Sequence, residues 1–153
     1  MAADVAKATN GTLVGQNAHL SGVSFDSRSL RPGQLFVPIV AERDGHEFIE
    51  SALSAGAGAY LTTGKTFGRT SITVPDTLTA LLQLGAWGRN KLDTQLANRV
   101  IGITGSVGKT STKDFVAAAL GSALRVTANE RSFNNDQGPV SYTHLTLPTS
   151  DLV

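Results

Sequence analysis

The sequence predicts an α/β protein made of two units in series, and three observations carry that reading. Over residues 1–75, short apolar or β-branched runs are punctuated by turn residues around one helical pattern. After Pro75-Asp76 the spacing changes to that of a long helix. Beyond it, the β-branched run Arg99-Val100-Ile101-Gly102-Ile103-Thr104 passes through a Gly-rich turn into a second helical pattern, the order expected of a strand buried on both faces of a parallel sheet.

In chain order, Val23-Ser24-Phe25 is the first strand candidate, followed by the polar cluster Asp26-Ser27-Arg28-Ser29 and a turn at Arg31-Pro32-Gly33. Residues 35–40 form the second candidate, where Pro38 predicts an edge or a bulge because it has no N–H for a ladder. Phe48, Ile49, Ala52 and Leu53 recur at the one-face spacing of a helix over residues 47–53, with Gly56 placed to end it. Tyr60-Leu61-Thr62 and Ser71-Ile72-Thr73-Val74 are the next strands. The long helix runs from Thr77 to about residue 91, with Leu78, Leu81, Leu82, Gly85 and Ala86 on one face and Asp76 or Thr77 as its cap. Trp87 on this helix reads as a domain-interface anchor. The expected division is therefore residues 1–75, a linking helix at 76–98, the start of a central domain at 99–138, and a tail at 139–153.

Composition limits the chemistry. The 153 residues are 41% apolar and 16% charged, which describes a chain able to bury a core. Thirteen Lys and Arg against twelve Asp and Glu give a net charge of +1, with no run of like charges to make a nucleic-acid arm or a polybasic membrane patch. No apolar stretch of about eighteen residues occurs, and Asp4 interrupts the N-terminus, so a cytoplasmic protein is expected. There is no Cys, and His19, His46 and His144 lack metal-ligand spacing, so any metal is expected to arrive with a nucleotide.

The most specific signal is Gly105-Ser106-Val107-Gly108-Lys109-Thr110-Ser111, lying between a strand candidate and a helix over residues 109–120. A Gly-rich turn at a helix N-terminus lets backbone N–H groups face phosphate oxygens, a Lys there neutralises β- and γ-phosphate charge, and Thr110 can hold the Mg²⁺ that bridges them. The general spacing of such loops wants Gly at position 103, which is Ile103 here.

That departure resembles the Mur ligase family, whose own phosphate-loop pattern is met at every position of Thr104-Gly105-Ser106-Val107-Gly108-Lys109-Thr110-Ser111. Asp26-Ser27-Arg28, Pro32-Gly33-Gln34-Leu35-Phe36-Val37, Asp44-Gly45-His46 with Phe48, and the Ala-Gly alternation at 55–59 are similar to the N-terminal UDP-sugar domain of the MurE and MurF branches. Thr127-Ala128-Asn129 and Phe133-Asn134-Asn135-Asp136-Gln137-Gly138 are similar to a segment of the MurF branch. The resemblance spans nearly all of residues 10–138. It implies an N-terminal UDP-MurNAc-peptide domain and the start of an ATP-binding domain. Ser27, Arg28, Asp44, Gly45 and His46 would hold the UDP-sugar, residues Thr104 to Ser111 with Asn134 and Asn135 would hold ATP, Lys109 and Thr110 would act in catalysis, and Thr110 would ligate Mg²⁺.

Taken singly, these residues leave other readings open. Asp26-Ser27-Arg28 is equally an ordinary turn in which Asp26 pairs with Arg28, and Asp44-Gly45-His46 is by itself a turn at a helix start. Asn134-Asn135 is otherwise a polar loop.

Pro139-Val140-Ser141-Tyr142-Thr143-His144-Leu145-Thr146-Leu147-Pro148-Thr149 breaks the family's pattern, and its back-translation resembles a transposase-type sequencing adapter read in frame. Residues 139–153 are therefore expected to be foreign and to pack no element, and the chain to be an incomplete, inactive piece of a longer reading frame. The implied whole is a monomeric ligase of peptidoglycan precursor synthesis that uses ATP and Mg²⁺ to join D-Ala-D-Ala to a UDP-MurNAc-tripeptide through an acyl phosphate. A MurE-type ligase acting on a UDP-MurNAc-dipeptide and a diamino acid, or a non-catalytic UDP-sugar or nucleotide module, remains the alternative.

Overall fold

The computed structural model describes residues 1–41, 43–96 and 100–128. Asn134, Asn135 and the tail at 139–153 lie outside the described residues. The elements in chain order are α1 (Ala2–Ala8), β1 (Thr12–Val14), β2 (Val23–Ser24), β3 (Leu35–Phe36), a 3₁₀ turn (Gly45–Phe48) running into α2 (Ile49–Ser54), β4 (Ala59–Thr62), β5 (Ser71–Thr73), α3 (Thr77–Leu96) and α4 (Lys109–Gly121).

Five strands form one mixed sheet in the order β1-β5-β4-β3-β2. β2, β3, β4 and β5 are parallel neighbours, and β1 pairs antiparallel with β5 at the far edge. Because side chains alternate across a strand, neighbouring residues of β3 and β4 feed two separate cores. Leu35, Val37, Ala59, Leu61, Ile72 and Val74 point to one face and pack with Ala2, Val5 and Ala6 of α1 and Ala80, Leu81 and Leu84 of α3. Phe36 and Tyr60 point to the other and pack with Leu30, and with Ile49 and Ala52 of α2. The result is a helix–sheet–helix arrangement in which the central strands are fully covered, as parallel strands require.

Several expectations change. α1 and β1 are additional elements at the N-terminus, both built into this unit. β3 stops at Phe36, and Pro38 is not at an edge, since β3 lies between β2 and β4. The proline ends the ladder there by lacking a donor, while Val37 N–H still reaches the Ser24 carbonyl at 2.8 Å. On α3 the buried stripe is Thr77, Ala80, Leu81, Leu84, Gly85, Gly88 and Leu92, whereas Leu82 is exposed. The stripe faces α1 and the sheet, so the helix expected to link two units contributes its side chains to the core of the first. Trp87 packs on the edge of that core, with the Lys91 ammonium 5.6 Å from its ring centre.

Residues 100–104 form no strand, because no neighbouring strand is present among the described residues to accept their ladder. Val100, Ile101 and Phe115 are exposed, and α4 buries no residue. No helix of the described residues is long and apolar enough to cross a membrane.

Candidate functional site

Parallel strands deliver the loops at their C-terminal ends to one edge of a sheet, which is where α/β folds bind ligands. Here β2, β3 and β4 lie side by side, so the turns that follow them share that edge. They are Asp26-Ser27-Arg28, Asp44-Gly45-His46, and the segment from Thr63 to Phe67.

The first turn is organised by Asp26. Its carboxylate accepts the backbone N–H of Arg28 at 3.0 Å, and grips the guanidinium through Nε at 2.9 Å and Nη2 at 2.8 Å. The hydrogen bonds to Asp26, and then its charge, raise the Arg28 pKa above its ordinary value. The guanidinium remains exposed.

The second turn is built on a close backbone approach. A Cβ on Gly45 would fall 2.6 Å from both the N and O atoms of Ile39, so only glycine fits where the Gly45 N–H reaches the Ile39 carbonyl at 3.0 Å. That contact sets Asp44 at the head of the 3₁₀ turn. Asp44 Oδ1 accepts the backbone N–H of His46 at 2.9 Å and lies 2.6 Å from His46 Nδ1. These bonds, the backbone one foremost, hold the Asp44 carboxyl below its usual pKa. The other ring nitrogen, Nε2, is 3.4 Å from Thr63 Oγ1 in the third loop.

Together with Val40, Ile49, Thr62, Gly64, Lys65 and Phe67, the Asp44–His46–Thr63 chain lines a pocket of about 270 Å³. Ser27 and Arg28 share the sheet edge but do not line this pocket. Reading the sequence alone missed the third loop. The available signal was Thr63-Gly64-Lys65 directly after a strand candidate, a polar and cationic loop at the edge where ligands bind.

The second candidate site is the loop before α4. Gly105 and Gly108 adopt φ of +149° and +80°, a region that favours glycine, and Gly108 is the N-cap with no side-chain cap bond. The first turn of this thirteen-residue helix therefore follows directly on the loop, with no N-cap side chain to accept its N–H groups. A Cβ on Gly108 would meet nothing within 4 Å among the described residues. Lys109 folds back across the loop and its Nζ donates to the Gly105 carbonyl at 2.5 Å. Thr110 and Ser111 follow in the first turn of α4.

No family model matches the chain. It is 40% identical over 153 residues to the UDP-N-acetylmuramoyl-tripeptide–D-alanyl-D-alanine ligase of Bacillus subtilis, the match covering 95% of this chain and 32% of that enzyme. Among solved structures, a UDP-N-acetylmuramoylalanyl-D-glutamyl-2,6-diaminopimelate–D-alanyl-D-alanyl ligase from Acinetobacter baumannii superposes with a TM-score of 0.82 at 28% identity, covering 95% of this chain and 33% of that one. The chain is similar to the MurF ligases. MurF from Thermotoga maritima, solved in complex with ADP, matches with a TM-score of 0.62 at 27% identity over 84% of this chain and 30% of its own. The chain thus spans about a third of the length of the MurF relatives it matches.

Proposed function

We propose that this chain supplies the UDP-sugar-binding domain and the phosphate loop of an ATP-dependent ligase that joins D-alanyl-D-alanine to a UDP-MurNAc-tripeptide. The enzyme acts in the cytoplasm, as a monomer, in the synthesis of peptidoglycan precursors. The observation that carries the reading is the placement of Lys109 at the first position of α4, behind a loop whose two glycines hold positive φ. Its support is the kinship with MurF ligases.

In this reading the backbone N–H groups of Gly105 to Ser111 cradle the phosphates of ATP, joined by Asn134 and Asn135. The Lys109 ammonium leaves the Gly105 carbonyl for the β- and γ-phosphates, exchanging a neutral acceptor for a charged one. The donor set, a hydroxyl at the start of a helix beside a phosphate loop, fits Mg²⁺, and Thr110 would hold it. The ion supplies neutralisation of phosphate charge. Ser27, Arg28, Asp44, Gly45 and His46 hold the UDP-sugar in the N-terminal domain.

The substrate carboxylate attacks the γ-phosphorus and ADP leaves. The dipeptide amine then attacks the acyl carbon, the C–O bond to phosphate breaks, and the amine proton is lost as the amide forms. Catalysis of the first step is mostly positioning and charge stabilisation, which is what Lys109 and the loop provide. The 153 residues alone are proposed not to turn over.

The test is a full-length ligase in which residues 1–128 replace the matching part of a MurF relative. Phosphate release is expected only when ATP, UDP-MurNAc-tripeptide and D-Ala-D-Ala are all present. Release that ignores the UDP-sugar would contradict the assignment.

A further inference from the structure

The pocket between the second and third loops contains a cation that the substrate-binding reading leaves unused. We infer that Lys65 is a second cationic arm of the UDP-sugar site, reaching the diphosphate from the rim formed by His46, Thr63 and Phe67. The inference rests on the reading that this domain binds a UDP-sugar.

Charge at the sheet edge is the first argument. Arg28 is neutralised by Asp26 through two guanidinium nitrogens. The Asp44 carboxylate is directed onto His46. Two turns that each carry a carboxylate offer little net positive charge to a diphosphate, whose desolvation needs a charged partner. Lys65 is exposed, lines the pocket, and has no ion pair or side-chain hydrogen bond among the described residues. Among the described residues it is the one Lys or Arg in the pocket wall; Arg43 lies on the neighbouring turn but outside that wall.

Preorganisation is the second argument. A cation on a floppy loop binds weakly, because ordering the loop opposes association. The loop carrying Lys65 is tied on both sides. The Thr62 hydroxyl donates to the Lys65 carbonyl at 3.3 Å and accepts the Gly64 N–H at 3.1 Å. Buried Tyr60 accepts the Phe67 N–H on its hydroxyl at 2.5 Å, and the two rings meet edge to face at 6.1 Å. Thr63 meets His46 Nε2, so the Asp44–His46 pair acts as a positioning element for this loop as well as a wall of the pocket.

Calorimetric titration of the 153-residue chain with UDP, uridine and inorganic pyrophosphate tests this. Lys65→Met is expected to weaken UDP about tenfold, the effect of losing one charge-assisted contact, and to weaken pyrophosphate in parallel. Uridine, which lacks the diphosphate, should bind Lys65→Met as it binds the unaltered chain, Lys65→Arg should keep most of the UDP affinity, and Arg43→Met should change little. If the unaltered chain binds UDP and Lys65→Met binds it equally well, the role of Lys65 is wrong while the UDP-sugar reading stands. Equal loss of UDP and uridine would make Lys65 merely structural and overturn the inference. If the unaltered chain binds neither, the UDP-sugar reading falls and this inference with it.

Discussion

Asp26 holds Arg28 at three points: the backbone N–H at 3.0 Å, Nε at 2.9 Å and Nη2 at 2.8 Å. An exposed pair of this kind adds little to stability, because solvent screens the charges. Its effect is orientation, since a guanidinium held by one edge presents its remaining donors in a fixed plane. Arg28→Ala is therefore expected to weaken UDP-MurNAc-tripeptide binding, to leave ATP binding unchanged and to leave the thermal midpoint nearly unchanged. Calorimetry on the full-length chimeric ligase checks this, and equal affinity in both proteins would remove Arg28 from the site.

Gly45→Ala should disturb the second turn. The added methyl group would lie 2.6 Å from Ile39 backbone atoms on either side, and backbone cannot yield as a flexible side chain can. The cost is expected at about 1–3 kcal/mol. In a proton spectrum the His46 ring signals should move, because Asp44 loses its register. Unchanged stability with unchanged His46 signals would mean that the close approach is not required.

Asp76 caps α3, its Oδ1 accepting the Thr79 N–H at 2.7 Å. The bonds from Thr79, its side chain foremost, hold the Asp76 carboxyl below the ordinary 3.8. A carboxylate with a depressed pKa stabilises the fold fully above its unfolded value, and this contribution fades as the pH falls through the lower folded value. Asp76→Ala should cost roughly 0.5–2 kcal/mol at neutral pH, and the difference from the parent should shrink below 3.8. Denaturant melts at neutral and strongly acidic pH measure both. A gap that widened in acid would contradict the cap assignment.

Amide exchange should divide the chain. Leu35, Phe36 and Leu61 lie in covered parallel strands and are fully buried or nearly so, whereas residues 100–104 have no ladder and α4 buries nothing. Slow exchange is expected in β3 and β4 and fast exchange at Val100, Ile101 and Ile103. Comparable protection in both would show that residues 100–104 are paired in solution.

What could be read in advance follows from how local each signal is. β4, β5, α4 and the glycine turn before α4 were legible because β-branched runs, helical spacing and glycine placement are properties of a few adjacent residues. α1 escaped because its seven residues are too short for a convincing period, although Ala2, Val5 and Ala6 do form one face. The strand expected at residues 100–104 depends on neighbours, and periodicity cannot supply them. The stripe on α3 was placed one position off because Leu78 and Leu82 outweigh Ala80 and Gly88 in apolar character, while the packed surface selects the smaller residues. Asp44-Gly45-His46 was legible as a motif, but its contact with Thr63 required the strand order β4-β3. Lys65 became a candidate only through that order.

Turnover of the full-length chimera carrying Lys109→Ala is the most direct test of the phosphate-loop assignment on which the proposed ligase activity rests. Losing one preorganised group that stabilises transition-state charge typically costs about 2.7–4 kcal/mol, so phosphate release at saturating ATP should fall on the order of 10²–10³-fold, with UDP-MurNAc-tripeptide binding retained. Near-normal turnover by Lys109→Ala at saturating ATP would contradict the assignment of residues 104–111 as the site of phosphoryl transfer.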